Sequence, residues 1–206
     1  MGRDITKCHP ELQQKCAQLI EKCAKKGLNI AVGECYRTVE EQNELYAQGR
    51  TKTGNIVTNA KGSDYSSHHQ WGTAFDFYRN DGKGAYNDSD GFFSKVGSVG
   101  KSLGLEWGGD WTSPVDKPHF QLPYWGSTTA ELKRLYGTPE EFKKTWEAEE
   151  MEKIYNWTLE VPKWARPTVQ KLLDKGYLKG NDKGELELTY SMLKLLVVND
   201  RAGLYD

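Results

Sequence analysis

Two short segments constrain this chain more than any other feature, because they hold three of its four histidines together with two aspartates. The first segment is SHHQWGTAFD at residues 67–76, and the second is DKPH at residues 116–119. A hydrolytic zinc site takes three protein ligands and leaves one position to water, whereas a structural site is closed by four ligands and is rich in cysteine. The segments therefore predict an open metal site, and the fold must bring them together although about forty residues separate them.

The pattern of fixed positions in these segments resembles a known enzyme family. Residues 67–76 match SxHxxGxAxD, residues 116–119 match the acid and the last histidine of a second motif, and WGGDW at 107–111 precedes it. The chain resembles the zinc D-Ala-D-Ala carboxypeptidase and L-alanyl-D-glutamate peptidase family (the VanY and phage-endolysin group, peptidase family M15). The WGGDW segment is similar to its endolysin branch. The resemblance covers roughly residues 8–135.

The resemblance implies a role for each polar residue of the two motifs. His69, Asp76 and His119 would hold Zn²⁺, and the choice of His69 over its neighbour His68 rests on the family register alone. Two neutral imidazoles and one carboxylate leave a net charge of about +1 on the ion, enough to acidify a bound water. Asp116 lies close to His119 in the chain and is predicted to be the general base and acid.

Three further residues are candidates for substrate contacts. Ser67 belongs to the substrate pocket by the resemblance, although a plain turn serine is equally compatible. His68 is predicted to face the substrate or to support the metal ligands. Arg37, in a Tyr-Arg-Thr context, would by resemblance stabilise the oxyanion and hold the substrate. The alternative is an exposed arginine that pairs with Glu40 or Glu41.

The pattern of apolar residues predicts an α+β fold. The resemblance implies a hedgehog/D,D-peptidase-like domain, which has a small antiparallel sheet with flanking helices. In a strand at 73–78, alternation would turn Asp76 toward the site and the phenylalanines toward the core. The other expected elements are helices at about 10–26, 39–49 and 91–103 and from Thr138-Pro139 onward, and strands at 105–107 and 119–122.

The chain is long enough for two domains, and we predict a zinc peptidase domain at 1–150 and a second part at 151–206. The charged run at 147–153 is interpreted as a solvated spacer. Residues 186–193 and 200–203 resemble C-terminal modules of clostridial-type phage lysins, which implies a small, mostly helical module that binds the cell wall, with dimerisation as the alternative. Its aromatic residues are interpreted as core, with sugar stacking as the alternative; they are Trp157, Trp164, Tyr177 and Tyr190.

Composition narrows the partners. A net charge of −1 and a pI of about 6.5 give no bulk attraction to nucleic acid or to an anionic membrane. The chain has neither an apolar run of membrane-spanning length nor the pattern of a signal peptide. We therefore expect synthesis in the host bacterial cytoplasm and action at the cell wall after release. The four cysteines form no CxxC pair and are predicted to be free thiols.

The resulting hypothesis is a peptidoglycan hydrolase of the endolysin type. It would cleave the stem peptide at the L-Ala–D-Glu bond, and a wall polymer is a further candidate partner for the C-terminal module. One alternative is a D,D- or L,D-carboxypeptidase that trims the end of the stem peptide. Another is a non-catalytic, zinc-containing wall-binding protein, which would have no use for Asp116.

Overall fold

A computed structural model describes residues 2–205, without the side chains of 147–152, and shows two compact units. One unit ends at Lys143 and the other begins at Lys144. The predicted spacer covers 147–153, and of these residues the side chains of 147–152 lie outside the described part, while Lys153 is exposed. The functional boundary at residue 150 stays a prediction. Within 2–205, no helix is both long and apolar enough to cross a membrane.

Six strands and seven α-helices make up the described chain, together with short 3-10 turns. The strands are β1 Ile30–Val32, β2 Ala74–Arg79, β3 Glu106–Trp107, β4 His119–Gln121, β5 Ile154–Tyr155 and β6 Leu188–Thr189. The helices are α1 Pro10–Ala24, α2 Val39–Ala47, α3 Phe92–Ser102, α4 Ala130–Tyr136, α5 Pro139–Glu152, α6 Arg166–Asp174 and α7 Tyr190–Arg201. The short helix α4 and the paired strands β5 and β6 were not predicted.

The first unit contains a four-stranded antiparallel sheet in the order β1-β2-β4-β3, which confirms the α+β class. Asp76 of β2 stands opposite His119 of β4, and Phe75 stands opposite Phe120. Because side chains alternate along a strand, one face of the sheet carries the polar pair and the other carries the aromatic rings. The predicted orientation of Asp76 follows from this register.

Helix α1 covers the aromatic side of the sheet with a regular apolar stripe. Leu12, Cys16, Leu19 and Cys23 are each at most 1% exposed, and their spacing matches one face of a helix. All four cysteines of the chain, Cys35 included, are free and buried in the described residues. The predicted free thiols are therefore confirmed, and the thiols act as small apolar groups in the core.

Helix α3 approaches the sheet closely because it presents glycines to it. A Cβ at Gly100 would lie 2.2 Å from Cε1 of Phe120, and one at Gly97 would lie 2.4 Å from Cδ2 of Trp107. Phe120 is completely buried, so its ring has no free volume into which to retreat. These two glycines set the distance between α3 and the strands that carry the second motif.

Replacing Gly100 by Ala is expected to destabilise the first unit by about 1–3 kcal/mol, because the added methyl overpacks the core. Alanine normally stabilises a helix interior relative to glycine, so the sign itself is diagnostic. Urea unfolding of Gly100→Ala, beside Ser98→Ala on the exposed side of the same helix, measures the effect. An unchanged or higher midpoint for Gly100→Ala would contradict the close packing.

The second unit has a core of its own around helices α6 and α7. Its centre is formed by the buried side chains Tyr155, Val161, Ala165, Val169, Leu188, Leu193 and Val197. Trp157, Trp164 and Tyr177 are 51%, 41% and 67% exposed, so the prediction that they form the core is wrong for these three. Tyr190 is half-buried and packs against the core. Tyr155 takes the central place, because β5 directs it inward opposite Leu188.

Candidate metal centre

The sheet brings the two sequence motifs together through the pairing of β2 with β4. Asp76 and His119 are direct cross-strand partners, and Oδ1 of Asp76 lies 3.1 Å from Nδ1 of His119. The two side chains are 43 residues apart in the chain. Side chains directly opposite each other on an antiparallel pair are close enough to act on one ion. The register of the strands therefore builds two corners of the site.

His69 forms the third corner from the turn that precedes β2. Its Nε2 lies 3.4 Å from Oδ1 of Asp76, and its Nδ1 lies 2.7 Å from the backbone oxygen of Cys35. Three successive turn hydrogen bonds order residues 67–72, and Gly72 ends the turn at a φ of 64° that favours glycine. The turn therefore fixes which of the two adjacent histidines reaches Asp76.

His69, Asp76 and His119 form a group that can hold a metal ion. One ligand atom from each residue lies within 4.8 Å of the other two. The second ring nitrogen of His69 meets the oxygen of Cys35, and that of His119 meets Oε1 of Gln121 at 3.1 Å. Metal-binding histidines are commonly oriented by such a bond on the far nitrogen. The donor set and its support therefore fit the Zn²⁺ that the motifs predict.

A chain of hydrogen bonds behind His119 was missed by the sequence analysis. Gln121 is buried, and its Nε2 donates to Glu106 across the β3–β4 pair at 3.2 Å. Glu106 also accepts a hydrogen bond of 2.8 Å from Nε1 of Trp111, whose ring centroid lies 5.0 Å from that of His119. The available signal was alternation, since a polar Gln121 lies two residues from His119 on the same strand face.

Replacing Gln121 by Leu is expected to weaken zinc binding about 10- to 100-fold, because His119 loses the partner that fixes its tautomer and ring angle. Competition with a chelator of known affinity measures the change. Gln14→Leu, on the exposed side of α1, is the matched control. Equal zinc affinity in both variants would show that Gln121 does not support zinc binding by His119.

The electrostatics of the cluster follow from burial and proximity. Burial alone would raise the pKa of Asp76, but the imidazoles of His69 and His119 hold it well below its usual range. Burial disfavours protonation of His119, yet Asp76 and Asp116 raise its pKa above the ordinary histidine value. The ionised carboxylate of Asp76 therefore gives the cluster a negative charge that favours binding of a cation.

Asp116 sits on the loop that leads into β4, close to the cluster but outside it. Its backbone nitrogen donates to the oxygen of Gly108 at 2.9 Å, and its oxygen accepts from the nitrogen of His119 at 3.2 Å. Burial and the charge of Asp76 raise the pKa of Asp116, against the opposing effects of His119, His69 and Arg37. A carboxyl group with a raised pKa beside a metal-binding cluster is suited to proton transfer.

Arg37 is buried rather than exposed, so the alternative of an exposed arginine paired with Glu40 or Glu41 is wrong. It lies in the segment between β1 and α2, directly before Thr38, which caps α2 in a capping box. The guanidinium pairs with Glu34 and donates to Oε1 of Gln42 at 2.7 Å. Among the described residues, its buried Nε has no hydrogen-bond partner. That N–H is therefore an unpaired donor in the interior beside the site.

Ser67 and His68 differ in how closely they belong to the site. Ser67 is half-buried at the start of the turn, and its backbone oxygen accepts from the nitrogen of Gln70 at 3.0 Å. His68 is 6% exposed, and its Nδ1 meets the hydroxyl of Thr73 at 2.9 Å. Burial and the neighbouring rings of His119 and His69 lower the pKa of His68 to about 3, so the ring is neutral.

Similarity to known proteins agrees with this geometry. A family model described as D-alanyl-D-alanine carboxypeptidase matches residues 61–122, which include both motifs. The chain is 40% identical over 124 residues to the peptidoglycan L-alanyl-D-glutamate endopeptidase CwlK of Bacillus subtilis (strain 168), a match that covers 55% of this chain and 72% of CwlK. It is 32% identical over 130 residues to the L-alanyl-D-glutamate peptidase of Listeria phage A118, covering 61% of this chain and 42% of that protein.

Among solved structures, the L-Ala D-Glu endopeptidase ChiX of Serratia marcescens matches with a TM-score of 0.44 and 22% identity, over 57% of this chain and 82% of that one. The match to CwlK, at 40% sequence identity over 72% of its length, defines the class of this protein. The chain belongs to the zinc D-Ala-D-Ala carboxypeptidase and L-alanyl-D-glutamate peptidase family, and it is a metallopeptidase whose cofactor is Zn²⁺.

Proposed function

We propose that this chain hydrolyses the amide bond between L-Ala and D-Glu in the stem peptide of bacterial peptidoglycan. The cluster of His69, Asp76 and His119 with the separate acid Asp116 is the observation that carries this function. The choice of substrate is supported by the name of CwlK and by its 40% sequence identity to this chain.

Three atoms of the chain would hold the zinc ion: Nε2 of His69, Oδ1 of Asp76 and Nδ1 of His119. When bound, zinc supplies a Lewis acid that acidifies a water molecule and polarises the scissile carbonyl. The hydrogen bonds to Cys35 and Gln121 hold the two rings in the tautomers that leave these nitrogens free. The protein thus provides an ordered, partly buried ligand set.

Asp116 accepts a proton from the attacking water and returns it to the nitrogen of the departing D-Glu. The raised pKa favours this role, because it makes the carboxylate a stronger base and brings its pKa closer to neutral pH, where one group can both take and return a proton. Arg37, whose charge already acts on Asp116, supplies positive charge beside the site, where negative charge develops on the carbonyl oxygen. The contacts with Glu34 and Gln42 fix the position of the guanidinium group.

Ser67 and His68 complete the proposed substrate side of the turn. The hydroxyl of Ser67 can donate to a carbonyl or carboxylate of the peptide. His68 remains neutral and supports the turn through Thr73, so its contribution to binding is that of an uncharged ring.

Mass spectrometry of fragments released from purified peptidoglycan tests the function. The expected product has a new amino terminus on D-Glu and leaves L-Ala on the sugar. Release of free D-Ala without a new internal amine would contradict the proposal and support the carboxypeptidase alternative, which the description of the matching family model also names.

For the second unit, we propose binding to a wall polymer in the manner of an endolysin. The exposed rings of Trp157, Trp164 and Tyr177 support it, because aromatic faces at a surface can stack on sugars. The similarity to the phage enzyme supports action on the wall after release from the host cell. Pairing of two chains through this unit is the competing possibility.

Replacing Trp164 by Ala is expected to weaken binding to purified walls about tenfold, the order of one lost aromatic contact. Co-sedimentation with walls measures it, and Leu159→Ala, which removes a side chain that is 83% exposed but not aromatic, is the control. Unchanged wall binding, with a dimer that dissociates in the Trp164 variant, would favour the dimerisation role instead.

A further inference from the structure

A groove of about 440 Å³ opens beside the metal centre and has no role in the mechanism above. Asp76 is one of its lining residues, so the groove reaches a residue of the metal cluster. Arg3, Glu34, Tyr78 and Tyr86 are among its other lining residues. A cavity of this size that is continuous with a catalytic centre is a candidate for binding the part of the substrate next to the reacting bond.

One wall of the groove is a loop at residues 80–90 that is held in place by a buried arginine. Arg79 is 4% exposed, and its guanidinium bonds to Asp81 at 2.8 Å and to both oxygens of Asp90 at 2.8 Å. Its backbone nitrogen donates to the oxygen of Ala85 at 3.0 Å. The bidentate contact is rigid, so the loop has a defined position on β2.

The same loop is also tied to the second catalytic motif. Asp88 forms an ion pair of 2.7 Å with Lys117, which directly follows Asp116 in the chain. The loop therefore joins the strand that carries Asp76 to the segment that carries the general base. Tyr86 lies on this loop and is 73% exposed, so its ring is accessible to a ligand in the groove.

The surface that the groove offers is aromatic and carries the cation of Arg3. The guanidinium of Arg3 lies over the ring of Tyr78, 5.4 Å from its centroid. Glu34 is paired with Arg37, and Asp76 is paired with the two histidines of the cluster. Both carboxylates along the groove are thus paired, Arg3 keeps its positive charge, and the ring of Tyr86 is the exposed one.

An aromatic surface whose carboxylates are both paired discriminates between the two sides of the scissile bond. Beyond D-Glu, the stem peptide carries a free amino group, which would need an unpaired carboxylate that the groove does not offer. On the other side, L-Ala is joined to a neutral sugar, whose C–H face packs on aromatic rings and whose hydroxyls accept and donate hydrogen bonds. One extended residue spans about 3.3–3.6 Å, so the sugar lies close to the metal centre.

We propose that this groove binds the N-acetylmuramyl sugar that carries the stem peptide, with Tyr86 and Tyr78 against the ring of the sugar. The inference rests on the proposed function and adds the glycan to the recognised substrate. Arg3 donates hydrogen bonds to oxygens of the sugar or its acyl group. The enzyme then recognises the junction of glycan and peptide rather than the peptide alone.

The test compares two substrates that differ only in the sugar: N-acetylmuramyl-L-Ala-γ-D-Glu-L-Lys and N-acetyl-L-Ala-γ-D-Glu-L-Lys. The wild-type enzyme is expected to have the higher kcat/KM on the muramyl peptide. In Tyr86→Ala the ratio of the two kcat/KM values is expected to fall about tenfold, and in Tyr86→Trp it should be retained. Tyr124→Ala, which removes an exposed tyrosine that does not line the groove, should keep the wild-type ratio.

An equal loss on both substrates in Tyr86→Ala would overturn the proposal, because the groove would then hold the peptide or shape the loop. An unchanged ratio would overturn it as well. If the wild-type chain cuts neither substrate between L-Ala and D-Glu, the proposed function fails instead. In that case, NMR titration of wild type and Tyr86→Ala with N-acetylmuramic acid tests separately whether the groove binds the sugar. Equal or absent binding in the two proteins counts against it.

Discussion

Replacing Asp116 by Asn lowers kcat on the stem peptide by about 10²- to 10⁴-fold, the contribution typical of a positioned general base and acid. Asparagine has the same shape but cannot accept the proton of the attacking water. The backbone bonds of Asp116 to Gly108 and His119 do not involve its side chain, so the loop should keep its conformation. Zinc content should stay at the wild-type level, because Asp116 is not among the three proposed ligands.

The matched control is Asp110→Asn, which changes an acid on the same stretch of chain that pairs with Lys101 instead. Steady-state kinetics and metal analysis of both variants separate catalysis from metal binding. Full activity in Asp116→Asn would refute its role as the base. Loss of zinc in this variant would place Asp116 in the ligand set.

Replacing His69 by Ala is expected to reduce zinc affinity by more than about 100-fold and to abolish hydrolysis. Loss of an outer hydrogen-bond partner alone costs about 10- to 100-fold in affinity, and removal of a ligand should cost more. The adjacent His68→Ala should retain zinc, since the ring of His68 bonds to Thr73 rather than facing Asp76. Metal analysis after dialysis against a weak chelator distinguishes the two.

The comparison of His68 with His69 is sharp because the two residues are neighbours of the same type. Both are buried, so general damage to the fold should be similar, and unfolding curves of both variants provide the check. Equal zinc loss in the two variants would mean that the turn, and not one imidazole, holds the ion. Zinc loss in His68→Ala alone would reverse the assignment of the ligand.

Much of the site could be predicted from the sequence because it depends on strand alternation. The phenylalanines around Asp76 indicated which way its carboxylate points, and the β2–β4 register then places His119 opposite it. The identity of the histidine ligand could not be derived in this way. It depends on the turn at 67–72, where backbone geometry and not periodicity decides which side chain reaches the site.

The supports of the site were harder to predict, because no sequence period indicates which polar side chains meet. Nothing in the local sequence of Arg37 shows that Glu34 and Gln42 are its partners rather than Glu40 or Glu41. The bond between Gln121 and Glu106 depends on the register of β3 with β4. Such contacts are set by packing of the whole sheet.

In the second unit, composition was misleading. Aromatic residues in a small module are often core, but Trp157 and Trp164 lie at the surface and Tyr155 fills the interior. Strands β5 and β6 are only two residues each, too short to give an alternating pattern. Their pairing, which directs Tyr155 inward, was therefore invisible in the sequence.

The central claim is that one zinc ion binds to His69, Asp76 and His119. A crystal of the zinc-loaded protein, with diffraction data on both sides of the zinc absorption edge, tests it most directly. We expect one anomalous peak about 2.0–2.2 Å from Nε2 of His69, Oδ1 of Asp76 and Nδ1 of His119. A peak bound to His68 or Asp116 in place of one of these, or no peak at this site, would contradict the account.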